Sequence, residues 1–150
     1  MKGGASLRIT IEKIQEKEKE EALLRITEMT ADVQTAISIL ESGEQVLLGL
    51  KGSERVPCPI SKIYYIESVD EKTFLYTKTE CLEVKYKLYE LESILDQRFF
   101  RCSKSMICNM RKIRSIKTGD NSRLNATLLN GESLIITRSY VPEFKKRLGL

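Results

Sequence analysis

The sequence has no histidine, no C-x2-C pair among its four cysteines, and no apolar run near the ~18 residues that span a bilayer. The first absence removes the side chain most often used as a general base and as a metal ligand. The first two together argue against a structural zinc site. A glycine-rich phosphate loop and a nucleophile–base triad are missing as well, so the reading is of a non-enzyme with no cofactor, no metal and no small-molecule substrate. The opening residues MKGGASLR lack the apolar stretch of a secretory signal. The expected location is therefore the cytoplasm. In that reducing setting Cys58, Cys81, Cys102 and Cys108 read as small, partly buried apolar residues. A redox role for Cys102 and Cys108 is the alternative.

What is present is a strong charge asymmetry. Residues 98–150 carry twelve Lys and Arg against three Asp and Glu, a balance of +9. Residues 1–97 carry thirteen against eighteen, a balance of −5. The net +4 thus hides a basic end and an acidic end. A basic third rich in short polar side chains is the composition of a polyanion-binding surface. A chain of 150 residues suffices for one sizeable core, with room for a small N-terminal subdomain.

The hydrophobic pattern is mostly of period two. Leu7, Ile9 and Ile11 share one face of a predicted strand over residues 7–14, and residues 22–26 return as a second strand after the charged turn QEKEKEE. Thr30 reads as the N-cap of a helix carrying Val33, Ile37 and Leu40, with Gly43 as its stop. Further strands are predicted over 45–51, 60–67, 73–79, 81–86, 112–118, 123–129 and 133–137. Residues 87–95 switch to helical spacing, and Phe99 and Phe100 anchor the segment that follows. Asn130-Gly131 predicts a type I′ hairpin. Ser105 and Ser139 read as helix N-caps, the latter opening a final helix with Val141, Phe144 and Leu148 inward and Pro142 in its first turn. Asn109 reads as a turn or C-cap residue. The expected fold class is mainly β with short α-helices (α+β), built of antiparallel sheets. No helix in this list carries the basic face of a DNA-recognition helix, so any grip on nucleic acid falls to loops.

Several segments occur in a fixed order: IYYIES at 63–68, YKLYELESIL at 86–95, FFRCSKSMICN at 99–109, Ile113, and TRSY at 137–140 before the last helix. Over residues 57–148 this series resembles the LytTR family of bacterial DNA-binding domains. The resemblance implies a predominantly antiparallel β domain that inserts loops into successive major grooves of duplex DNA, commonly as two copies on a direct repeat. It implies a transcription regulator of the stand-alone type, with no receiver domain, and in some such members a restraining membrane protein encoded nearby. Two units are expected: residues 1–52 as a small βα subdomain for dimerisation or partner contact, and residues 57–150 as the DNA-binding domain. One departure stands out. Where the family usually has HRS, this chain has Ser103-Lys104-Ser105. A planar base-edge reader is replaced by a flexible point charge, which changes the expected DNA preference.

The residues expected at base edges are Lys104, Arg138, Lys72 and Thr73. Those expected at the DNA backbone are Ser103, Ser105, Ser139 and Arg101. Each has a plainer reading: Arg138 as a surface ion pair, Lys104 as an ordinary surface lysine, Lys72 and Thr73 as a polar hairpin turn, and Arg101 as an internal brace for its loop. The expected partners are duplex DNA and a second copy of the chain. The rival is a protein-interaction module whose basic face binds an acidic partner; an RNA binder is disfavoured because the aromatics sit at strand and core positions.

Overall fold

The computed structural model describes residues 7–150, so the opening MKGGAS, where no secretory segment is expected, lies outside it. Among the described residues ten strands form two antiparallel sheets. They are β1 (Val46–Lys51), β2 (Glu54–Pro59), β3 (Tyr65–Val69), β4 (Lys72–Tyr76), β5 (Cys81–Val84), β6 (Phe99–Ser103), β7 (Met106–Asn109), β8 (Ile113–Thr118), β9 (Leu124–Leu128) and β10 (Ser133–Ile136). The larger sheet has the order β2-β1-β5-β4-β3-β7-β6, the smaller β10-β9-β8. The α-helices among the described residues are α1 (Ala31–Ser42), α2 (Leu88–Ile94) and α3 (Val141–Leu148). The expected class, mainly β with short helices, is what the chain adopts.

Two cores arise from the alternation of side chains along β6 and β7. Phe99 and Ile107 point to one face of the large sheet, where they join Ile63, Ile66, Leu75 and Leu82 beneath Leu88 and Leu91 of α2. Phe100, Cys102 and Cys108 point to the other face. There they meet Leu124, Ala126, Leu128, Leu134 and Ile136 of the small sheet and Val141 and Phe144 of α3. The small sheet is thus stacked on the β6–β7 end of the large one. Arg147 secures α3, donating from Nη1 to the carbonyls of Gln97 (3.0 Å) and Phe99 (3.1 Å), with its guanidinium over the Phe100 ring. Cys102 and Cys108 are fully buried in this core. A hydrogen bond with Cys102 and burial both push the Cys108 thiol up, which keeps it un-ionised.

The N-terminal third departs from expectation. Residues 7–14 and 22–26 form no strands: their backbone has no hydrogen-bond partner among the described residues, and a short 3-10 turn at Lys17–Lys19 separates two extended arms. Exposed pairs Lys17–Glu20 and Lys19–Glu16 hold that turn. Helix α1 is as expected, capped by the Thr30 hydroxyl accepting from the Val33 N–H and stopped by left-handed Gly43. β1, however, is part of the large sheet. It pairs with β2 along its length and with β5 at Leu50–Glu83, so the expected boundary between 52 and 57 falls inside the β1–β2 hairpin. Gly49 permits that packing, since a Cβ there would lie 2.7 Å from the Leu82 Cβ.

Two turn predictions are also corrected. Gly131 is left-handed, but Asn130 is not. The Gly131 N–H donates to the Leu128 carbonyl and the Leu128 N–H to that of Glu132, giving a three-residue loop closed by a glycine bulge instead of a type I′ turn. The type I′ signature of two left-handed residues belongs to Asp70-Glu71, between the paired residues Val69 and Lys72. Asn109 is a buried N-cap: its Oδ1 accepts from the Arg111 N–H and its Nδ2 donates to the Ile63 carbonyl at 2.8 Å.

Candidate nucleic-acid interface

The β6–β7 hairpin ends in a two-residue tip, Lys104-Ser105, after an irregularity between Arg101 and Ser103. Arg101 shapes that tip from within. Its Nε donates to the Ser103 carbonyl at 2.8 Å, its Nη2 to the Lys104 carbonyl at 2.5 Å, and its Nη1 to Glu92 at 2.6 Å. The Ser103 hydroxyl accepts from the Ser105 N–H at 3.2 Å. With its main-chain carbonyls tied down, the tip turns the Lys104 side chain out to solvent.

A second loop is fastened to the first. The Thr137 N–H and hydroxyl both donate to the Cys102 carbonyl, at 3.0 and 3.4 Å. That bond locates the single 3-10 turn Arg138–Tyr140, which leads from β10 into α3. A third loop, between β8 and β9, is closed by Gly119 N–H to the Arg123 carbonyl at 2.9 Å, with Asn121 and Ser122 both left-handed. These three loops line one open groove of about 700 Å³, formed by Ser103, Lys104, Ser105, Asn121, Arg123, Thr137, Arg138 and Ser139. The β3–β4 turn abuts it, because the Ser68 N–H donates to the Ser105 carbonyl at 2.8 Å. Lys72 stands exposed at that turn beside the exposed carboxylates Asp70 and Glu71.

The electrostatics follow from the pairing. Six ion pairs occur among the described residues, and none uses Lys104, Arg123, Arg138 or Lys72. Three unpaired cations from three different loops therefore share one groove. A site of this kind offers donors and positive field to a polyanion. Among the described residues no cluster of metal-ligating side chains occurs, and nothing in the groove resembles a nucleophile with its base.

Of the residues singled out from sequence, the structure gathers Ser103, Lys104, Ser105, Arg138 and Ser139 in the groove, with Lys72 at its margin. Thr73 is a correction. It is 6 % exposed, on the same face of β4 as the buried Leu75, and cannot present its side chain to a base. Arg101 is another: its guanidinium is occupied by two carbonyls and a carboxylate, so it braces the tip. Ser105 and Ser139 cap no helix. Ser105 lies in a hairpin turn, Ser139 in the 3-10 turn, and the N-cap of α3 is Tyr140, with no side-chain cap bond. Sequence reasoning missed Arg123 and Asn121. The loop GDNSR carried the signal, a basic residue directly after a polar turn; β9–β10 pairing, with Leu124 opposite Ile136, sets it near Arg138, and the small sheet's packing brings both to Lys104.

Comparisons with known proteins identify the family. The chain is 29 % identical over 125 residues to the transcriptional regulatory protein YpdB of Escherichia coli O6:H1, a match covering 82 % of the chain and 51 % of that relative. It therefore spans about half the length of this curated relative. An uncharacterized HTH-type transcriptional regulator of Staphylococcus aureus is 26 % identical over 124 residues, covering 81 % of the chain and 84 % of its own length. Among solved structures, the LytTr DNA-binding domain of a putative methyl-accepting/DNA response regulator from Bacillus cereus superposes with a TM-score of 0.68 at 32 % identity, over 70 % of this chain and 97 % of that one. Residues 53–149, which contain every strand but the first and all of the groove, match the LytTr DNA-binding domain model, and the chain belongs to that family.

Proposed function

We propose that this DNA-binding protein, which is not an enzyme, reads duplex DNA sequence-specifically by inserting its loops into successive major grooves. Lys104 and Arg138 supply the base contacts, with Lys72 alongside; Ser103, Ser105 and Ser139 contact phosphate. Arg123, which lines the same groove, joins the set. The observation that carries this reading is the convergence of Lys104, Arg123 and Arg138, none ion-paired, on one groove. An arginine there can donate two guanidinium N–H bonds, one to guanine O6 and one to N7, worth about 1–3 kcal/mol of discrimination. A lysine adds a less directional charge. Two copies act together on a direct repeat, and the function is regulation of transcription. The same reading has the protein at work in the cytoplasm, restrained by a membrane protein encoded nearby. No helix among the described residues is long and apolar enough to cross a membrane.

The test is DNA binding by the full chain. Preferred sites are first selected from a random duplex pool, then titrated against Arg138→Ala. The expected outcome is a loss of about 1–3 kcal/mol on the preferred site and relaxed choice at one base position. Ser139→Ala, touching phosphate alone, weakens all sequences alike. Equal losses for Arg138→Ala on every duplex would remove Arg138 as a base reader.

A further inference from the structure

Residues 7–14, LRITIEKI, lie in no sheet, and over 7–12 apolar and polar side chains alternate. Leu7, Ile9 and Ile11 are 49 %, 69 % and 85 % exposed, and Leu23 on the returning arm is 74 % exposed. Among the described residues no backbone hydrogen bond involves residues 7–15. β-branched side chains on an unpaired extended backbone make a template for another strand. We propose that this arm pairs with the same arm of a second copy, antiparallel and centred on Thr10.

Three observations select that occupant. The first is register. With Thr10 opposite Thr10, Ile9 faces Ile11 twice, and Arg8 faces Glu12 twice, once on each side of the axis. Shifting the centre to Glu12 sets two glutamates against each other, and centring between Thr10 and Ile11 sets Arg8 against Lys13. The second is that Arg8 and Glu12 have no ion-pair or hydrogen-bond partner among the described residues. Four residues apart on a strand, they stand roughly 13 Å from each other and cannot pair within one chain. The third is that the free edge of the large sheet at β2 carries Pro57 and Pro59, which lack the N–H a docking strand requires. The arm is therefore poorly matched to the β2 edge, the one formed by its own end of the chain, and well matched to itself. The returning arm borders the same cleft, through Lys19, Glu20, Glu21 and Leu23, and adds apolar cover to the ribbon.

This gives the dimer of the functional reading an interface, and rests on that reading only for the number of copies. The twofold governs the arms; residues 27–29, in neither helix nor strand, join each arm to its DNA-binding domain.

Sedimentation of the full chain over a concentration series decides the matter. Arg8→Glu and Glu12→Arg should each weaken the dimer by about tenfold. The combined Arg8→Glu/Glu12→Arg chain should recover wild-type association, because the pair is restored with its signs exchanged. Ile9→Asp/Ile11→Asp should be monomeric, should keep its circular dichroism, and should still bind a single half-site. A wild-type chain that stays monomeric, a double charge swap that fails to recover, or a dimeric Ile9→Asp/Ile11→Asp variant would each overturn the arm interface. Loss of half-site binding by a folded monomer would instead count against the DNA-reading loops and leave the arm standing.

Discussion

The groove loops and the N-terminal arm are both exposed, and both lack a partner in the isolated chain, yet they are held in opposite ways. The tip at Lys104 is gripped by Arg101 from below and roped to Thr137 through the Cys102 carbonyl, and Cys102 itself is buried in the second core. The arm at 7–14 makes no such bonds. Loops that must meet a rigid duplex gain from being fixed beforehand, because ordering costs are met during folding and not during binding. An arm that meets a copy of itself needs only a pattern that is complementary in one register. Pre-set polar loops and an unsatisfied apolar ribbon are two different signs of a binding surface.

The sharpest way to break the comparison is to truncate one large apolar side chain in each region. Phe144 is fully buried in α3 and packs on Phe100, ring centroids 5.4 Å apart. Phe144→Ala should cost about 3–5 kcal/mol of stability and loosen the small sheet that carries the groove. Ile11→Ala, at 85 % exposure, should leave the stability of the dilute chain within about 0.5 kcal/mol of wild type. Urea unfolding of both variants at low protein concentration measures the contrast. A matching loss at Ile11 would mean that the arm is packed on its own domain.

A subtler break separates bracing from contact. Arg101→Ala removes two bonds to the tip carbonyls and one to Glu92, at a stability cost of about 1–3 kcal/mol. DNA affinity should fall on all sequences, since the tip is no longer pre-set. The salt dependence should keep its slope, since Arg101 neutralises no phosphate. Arg101→Lys should not rescue, because an ammonium cannot serve two carbonyls and a carboxylate in a plane. A slope reduced by about 1 would return Arg101 to the phosphate contacts expected from sequence.

How far such a division was legible in the sequence depends on what each element needed. The strands β9 and β10 show their alternation directly, and α2 and α3 show their helical spacing, because each buries one face. In β8 a bulge between Ile113 and Ser115 sets the apolar Ile113 and Ile116 three residues apart. β6 and β7 were hidden because both faces are buried, so Phe99 and Phe100 stand side by side with no polar residue between them. The alternation at 7–14 is real, but a strand also needs a neighbour, and the single chain supplies none. Turn chemistry misled at Asn130, where the register of β9 and β10 demanded a three-residue loop. In the groove, Lys104 and Arg138 were reachable through their places in an ordered series of segments. Arg123 was missed: the pairing of Leu124 with Ile136 sets it at the same hairpin end as Arg138, but only the stacking of the small sheet on β6 and β7 brings that end to Lys104.

The β3–β4 turn offers the finest distinction, since it combines pre-set geometry with the wrong charge for a DNA-facing loop. Asp70 and Glu71 have φ of 50° and 64°, the left-handed pair that a two-residue hairpin needs to match strand twist. Aspartate tolerates that region; glutamate there costs about 1–2 kcal/mol. Glu71→Gly should relieve the strain and, after the extra freedom glycine gains in the unfolded chain, stabilise by about 0.5–1 kcal/mol. Glu71→Gln keeps the strain but removes the carboxylate beside Lys72, so it should strengthen DNA binding at low salt without stabilising the fold. Comparing thermal midpoints and low-salt affinities of the two variants resolves geometry from charge: glycine moves both, glutamine only the affinity. An affinity unmoved by either would place the β3–β4 turn away from the duplex and leave the reading to the three loops of the groove.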